Sequence, residues 1–216
     1  MTARTPLVLL GAGGTALDLL DVIQDAADAG APFEPIGFLD DSPALQGREV
    51  GGLPVLGRLA HAGALSDASF VNTLGSPANY RRRAAAVEAL GLAPNRFATV
   101  VHPGAQVSRR CTIGAGTLVY PQVVIGANVR VGEQVLLMAG AVLNHDVVIG
   151  DYSILTSGVL LAGRVEIGRN CYLGTGCRIV QDTKVGDEAL IGMSATVLSD
   201  VLAGSTVVGT PARRIR

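Results

Sequence analysis

From Val101 to Val197 every sixth residue is aliphatic, and the frame never slips. The series opens Val101, Val107, Ile113, Val119, Ile125, Val131 and continues through Leu137, Leu143, Ile149 and Leu155 to Ile191 and Val197. Two positions before each stands, in most cases, a small or β-branched residue, among them Cys111, Thr117, Val123, Ala141, Ser153, Cys171, Cys177, Ala189 and Ala195. A period of six is neither the 3.6 of a helix nor the alternation of an ordinary strand. It is the signature of a hexapeptide β-helix. Each hexapeptide supplies one short strand and one corner. Residues two apart on a strand face the same side, so the aliphatic residue and the small residue before it both point inward. Three such strands close a triangular coil of about 18 residues.

Upstream the pattern changes. Pro6 to Leu10 is a short apolar run that ends in Gly11-Ala12-Gly13-Gly14, and helical spacing follows through Leu17, Leu20, Val22 and Ile23. Strand, glycine turn and helix open a nucleotide-binding α/β unit; glycine lets the backbone approach a phosphate and a helix N-terminus favours an anion. A second strand over Pro35 to Leu39 runs into Asp40 and Asp41. An acidic residue there can hold a ribose hydroxyl or simply begin a solvated loop. Residues 47–57 read as a glycine-rich loop, Leu59 to Leu65 as a short helix and Phe70 to Leu74 as a third strand. Asn79 to Leu90 reads as a helix. Its Arg81, Arg82 and Arg83 either meet a diphosphate or, the preferred reading, form a wet face. The hexads begin after His102-Pro103, so an α/β domain over residues 1–98 is expected to precede a β-helix over 99–216.

Composition narrows the function classes. A formal charge of −1 and an isoelectric point near 6.3 give no electrostatic footprint for nucleic acid. Mean hydropathy is +0.41, but the longest uncharged run, Cys111 to Val129, holds Gly114, Gly116 and Pro121 and keeps the six-residue frame. No membrane insertion is expected, and the start shows no secretory cleavage pattern. The three cysteines, 111, 171 and 177, occupy inward small positions and read as core residues in a reduced, cytoplasmic chain. No metal-ligand spacing is present.

Of the three histidines, His61 falls on a polar surface helix and His102 at the domain junction, where packing or capping is its expected work. His145 sits two residues past inward Leu143, at a corner, beside Asp146. One coil away on either side lie Ala127 and Gly163, small enough to leave a hollow beside the ring. A carboxylate next to an imidazole selects its tautomer and suits it to act as a general base. A γ-class carbonic anhydrase needs three zinc-binding histidines on this solenoid. A serine hydrolase of the G-x-S-x-G type needs a turn that is missing.

The order G-A-G-G at 11–14, F-L-D-D at 38–41, V-H-P-G-A at 101–105, N-H-D-V-V-I-G-D at 144–151 and V-V-G-T-P-A-R-R-I at 207–215 resembles the bacterial sugar O-/N-acetyltransferases of the sialic-acid O-acetyltransferase type. The resemblance implies a Rossmann-like N-terminal domain followed by a left-handed parallel β-helix. It implies a homotrimer with acetyl-CoA between adjacent β-helices, a nucleotide-sugar acceptor and no metal. It makes His145 the base and Asp146 its partner, and aims the backbone N–H of Gly163 at the acetyl carbonyl. Gly174, Thr175, Gly209 and Pro211 would line the CoA arm, and Arg213 and Arg214 are candidates for its phosphates. Gly11, Gly13 and Gly14 match the diphosphate loop, and Asp40 and Asp41 the pair holding base or ribose. Two departures stand out: Thr15 and Ile154 occupy positions where the family often has histidine. They motivate one alternative, an acyl-CoA transferase acting on a non-nucleotide amine or alcohol; a nonenzymatic nucleotide-sensing trimer is a further one.

Overall fold

The computed structural model describes residues 4–215, so positions 1–3 and 216 of the two expected domain spans lie outside the described residues. The first unit is a five-stranded sheet built from β1 (Thr5–Leu10), β2 (Phe33–Leu39), β3 (Glu49–Val50), β4 (Leu53–Gly57) and β5 (Ser69–Asn72), in the order β3-β4-β2-β1-β5. Neighbours pair in parallel except for the antiparallel β3-β4 hairpin. Residues 47–57 are therefore not a loop. Gly51 and Gly52, both at positive φ, turn a hairpin whose second strand adds to the sheet edge through Val55 beside Phe38. The glycines marked the turn and hid the two strands beside it.

Helix α1 (Gly14–Asp28) buries Ala16, Leu19, Val22, Ile23, Ala26 and Ala27, a stripe at three- and four-residue steps. The expected helix from Asn79 is only half α-helical: a 3₁₀ turn covers Tyr80–Arg82, and α2 (Arg83–Glu88) follows.

From Val100 onward the chain forms a prism of two-residue strands. Three parallel sheets result, which we call faces I, II and III in the order the chain meets them at Val100–Val101, Gln106–Val107 and Thr112–Ile113. Each strand pairs with the strand one coil on, as Val124 with Val142 and Arg130 with Val148. From Val119 onward the inward aliphatic residues are buried, as are Thr117, Ser153, Cys171 and Cys177 at the small positions. Thr117 Oγ1 donates to Gly132 O and Ser153 Oγ to Gly168 O, each at 2.8 Å, so even the hydroxyls are satisfied inside. Val101 and Val107 depart from this, each 37% exposed, because the first coil has no earlier coil to cover it.

Outward residues distinguish the faces. On face III they are largely polar and exposed: Thr112, Arg130, Glu166 and Lys184. On face I they are apolar, with Val100, Leu118, Leu136 and Ile154 at most 3% exposed. That face is where the first unit docks. Tyr80 Oη donates to Glu188 O at 2.9 Å, Tyr120 Oη to Thr15 O at 3.1 Å, and Arg81 to Gly204 O at 2.8 Å. His102 does the junction work expected of it: its Nδ1 accepts from Gly104 N–H at 2.8 Å, and Nε2 reaches Asp25 Oδ2 at 2.8 Å.

Arg83 overturns the wet-face reading. Its side chain is fully buried at the seam. Nε donates to Leu74 O at 2.7 Å, Nη2 to Asn72 O at 3.2 Å, and Nη1 to Gln134 O on the prism. Burial pulls its pKa down to about 9. Arg83 thus ties the segment after β5 to the coils through main-chain carbonyls. Replacing Arg83 with Met leaves those buried acceptors without donors; we expect a loss of about 3 kcal/mol, read as a lower denaturation midpoint in urea at unchanged m-value.

Burial also pushes the thiols of Cys171 and Cys177 up, to about 11 and about 12, while Cys111 is only partly buried. The thiolate is the reactive form. A disulfide reagent at pH 8 should therefore label at most Cys111 in the folded chain and all three thiols in denaturant.

Candidate active site

His145 and Asp146 lie on the edge where face II passes into face III, between strands Val142–Leu143 and Val148–Ile149. The turn needs a left-handed backbone at its second corner residue, and Asp146 takes it at φ 61°. Asn128 (φ 59°), Arg164 (φ 60°) and Asp182 (φ 62°) repeat that conformation along the same edge. Asn and Asp tolerate it better than most residues.

His145 Nδ1 stands 2.8 Å from Asp146 Oδ2. An ionised carboxylate only accepts, so Nδ1 carries a proton, and in the neutral ring the lone pair is then on Nε2. Hydrogen bonds from His145 and then from Asn128 hold the Asp146 carboxyl below the usual carboxylate range. The imidazole is 54% exposed and the carboxylate 44%, so the pair stands at the surface and not in the core. The ring lies over Gly163 one coil on: a methyl group there would fall 2.5 Å from Cε1 and 2.6 Å from Nε2. The N–H of Gly163 has no acceptor among the described residues, whereas Arg164 N–H donates to His145 O at 3.0 Å. The ring thus packs against the backbone of a residue whose N–H makes no hydrogen bond among the described residues.

The other residues singled out fall into two groups. Gly174 and Thr175 follow strand Tyr172–Leu173, on the edge between faces I and II. Gly209 and Pro211 reach the same edge, where Thr196 N–H donates to Gly209 O at 3.0 Å. Arg213 and Arg214 form an exposed strand antiparallel to Thr206–Val208. These residues and the histidine pair therefore sit on different edges, with face II between them.

The second group surrounds the carboxyl ends of β1, β2 and β5. Gly13 and Gly14 are exposed, with open space where a side chain would be. Gly13 caps α1 without a side-chain bond; Ala16 N–H donates to Gly13 O at 2.9 Å, and the N–H groups of Gly14 and Thr15 have no acceptor among the described residues. Gly11 (φ 99°) is packed closely, with Thr73 Oγ1 2.9 Å from where a Cβ would be. Asp40 is committed to this loop: Oδ2 accepts from Ala12 N–H and Oδ1 from Ser42 N–H, both at 2.8 Å. Asp41 Oδ1 accepts from Leu59 N–H at 3.0 Å. Thr15 is in the first turn of α1 and binds the prism through its carbonyl. Ile154 is buried on face I beneath Gly75, away from the edge that carries His145. Sequence reasoning passed over Asn128, Tyr120 and the burial of Arg83. A step of 18 from Asp146, the separation of paired coils, would have found Asn128.

A family model described as the GMPPB C-terminal domain matches residues 97–198. A sequence search of curated proteins returns no match. Among solved structures, the acetyltransferase domain of PglB from Neisseria gonorrhoeae FA1090, in complex with acetyl coenzyme A, is 30% identical with a TM-score of 0.82. The alignment covers 99% of this chain and 100% of that one. WeeI from Acinetobacter baumannii AYE is 25% identical, with a TM-score of 0.81 over 97% of this chain and 99% of its own. A histidine-to-asparagine mutant of perosamine N-acetyltransferase from Caulobacter crescentus, in complex with CoA and GDP-perosamine, superposes with a TM-score of 0.86. That alignment covers 98% of this chain and 97% of the mutant, at 24% identity, a likeness of fold.

The hollow at Gly163 is testable by itself. Gly163→Ala should push the imidazole off Asp146 at little cost in stability, because the ring is half exposed. Side-chain ¹⁵N spectra of His145 should then show a mixture of tautomers, against the single Nδ1–H form of the parent.

Proposed function

The chain belongs to the hexapeptide-repeat bacterial sugar acetyltransferases, and from that premise we propose that it moves an acetyl group from acetyl-CoA to a nucleotide-linked amino sugar in surface glycan synthesis, with His145 as general base. The observation that carries this reading is the His145–Asp146 pair at 2.8 Å, exposed at a corner of the prism with its ring packed on Gly163.

Residues 1–98 form, in this reading, a Rossmann-like domain that holds the nucleotide sugar, and residues 99–216 a left-handed β-helix that carries the transfer. The open N-terminus of α1 at Gly13 and Gly14 suits a diphosphate, and Gly11 and Asp40 shape the loop that presents it. Asp41, after β2, would meet the nucleoside through the carboxylate oxygen that Leu59 N–H does not take. Gly174, Thr175, Gly209 and Pro211, with Arg213 and Arg214, serve the CoA arm on their own edge. The protein acts as a cytoplasmic homotrimer. Threefold packing would set the His145 edge of one chain against that second edge of its neighbour, which no single chain can do.

His145 Nε2 accepts the proton of the acceptor amine or hydroxyl as that group attacks the thioester carbonyl. The N–H of Gly163 donates to the carbonyl oxygen as charge builds there, a contribution of ~3 kcal/mol in comparable sites. The new bond to the acetyl carbon forms, the carbon–sulfur bond breaks, and His145 returns the proton to the departing sulfur. Asp146 holds the imidazolium in place throughout. The two domains otherwise act by holding acceptor and thioester together.

His145→Ala should lower kcat by ~10²- to 10⁴-fold with an unchanged oligomeric mass; thiol release from acetyl-CoA with a panel of nucleotide amino sugars reads it. Full turnover by that variant removes the base assignment. Calorimetric titration with UDP, GDP and dTDP should find one binder, and silence from all three would favour a non-nucleotide acceptor.

A further inference from the structure

We infer that Asn128 is a positioning residue for this transfer, acting on His145 through Asp146; the inference rests on His145 being the base proposed above. Asn128 occupies the corner position one coil before Asp146, 18 residues earlier. Its Nδ2 donates to Asp146 Oδ1 at 3.0 Å, while His145 Nδ1 donates to the other oxygen, Oδ2, at 2.8 Å. The two donors approach different oxygens of one carboxylate and so fix its plane.

That constraint is needed because the carboxylate is 44% exposed and open to water. A carboxylate with one partner turns about its terminal torsion, which is broad and roughly two-fold, and exchanges that partner for water. Once it turns, Nδ1 loses its acceptor and the neutral imidazole divides between two tautomers, one of which carries its proton on the nitrogen meant to receive one. Asn128 prevents this with a neutral group. A cation at that position would compete with the imidazole for the carboxylate.

The cation on the next coil of the same edge acts on Asp146 only through space and gives its hydrogen bonds elsewhere. Arg164 gives Nε and Nη2 to the two oxygens of Asp182, at 2.5 and 2.8 Å. Its fork is turned down the edge toward Asp182. Asp146 is left with an amide and the imidazole as its side-chain donors.

The test compares Asn128→Ala and the isosteric Asn128→Asp with the parent, using acetyl transfer and side-chain ¹⁵N spectra of His145. We expect kcat to fall about tenfold in both, a share of the ~10²–10⁴ that acid–base catalysis contributes, with both KM values unchanged; the melting temperature should hold in Asn128→Asp and drop somewhat in Asn128→Ala, which tolerates the left-handed backbone less well. The spectra should change from the Nδ1–H tautomer to a mixture. A role in packing alone would spare the isosteric variant and leave the tautomer as it was. Parent-like kcat and spectra in Asn128→Asp overturn the inference. His145→Ala, run beside them, separates the two failures: if it is dead while Asn128→Asp is fully active, only the positioning role falls, and if it is active the base assignment falls with it.

Discussion

Main-chain pairing from one coil to the next is the constraint on which everything else depends. Gly126 N–H donates to Leu143 O at 2.8 Å, Asn144 to Leu161 O and Ala162 to Ile179 O at 3.1 Å, and so on along the prism. These bonds hold strands about 4.8 Å apart and bring residues 18 positions apart into columns. The buried aliphatic residues fix the register, since a slip of one would turn each inward side chain outward. Every edge residue thereby receives two set neighbours. His145 lies over Gly163, and Asp146 receives Asn128, because the core beneath them cannot slide.

The same rule explains how the first unit is placed. Face I differs from face III in the residue before each inward position, apolar at Leu118, Leu136 and Ile154 but polar at Arg130, Glu166 and Lys184. That difference decides which side of the prism is covered. Polar bonds then set the fit, with Arg83 buried among carbonyls of both units and Tyr120 on the carbonyl of Thr15. Gly75, at φ 138°, allows the closest approach, since a Cβ there would meet Ile154 at 2.4 Å. Isoleucine at 154 suits this role, since a histidine there would bring a polar ring into an apolar seam.

Period explains what could be read beforehand. A six-residue repeat is local and exact, so the β-helix, its inward set and the exposed corner bearing His145 were legible in the residues alone. The β3-β4 hairpin was not, because its strands are two and five residues long and its glycines mask them. Arg83 was not, because three consecutive arginines look alike until the fold buries one of them. Asp40 could be placed near the glycine turn, but whether its carboxylate faces a ligand or Ala12 N–H depends on a contact 28 residues away. Asn128 was legible in principle, since the coil length predicts its neighbour. Contacts within the repeat follow from counting, and contacts across the seam do not.

Exposure of the histidine pair bears on how the site can work. At 54% and 44% exposed, His145 and Asp146 interact through a medium close to water, where fixed donors such as the Gly163 N–H stabilise developing charge weakly. The interaction strengthens only if something excludes water from that edge. Face II carries Val142 and Leu160 outward beside it, and Leu160 is 43% exposed. A second copy packed there, as in the proposed homotrimer, would cover those apolar groups and lower the local dielectric at the imidazole in one step. The proposed base and its partner would then be ordered by their own chain and dried by its neighbour, which would make assembly a condition of rate and not only of stability.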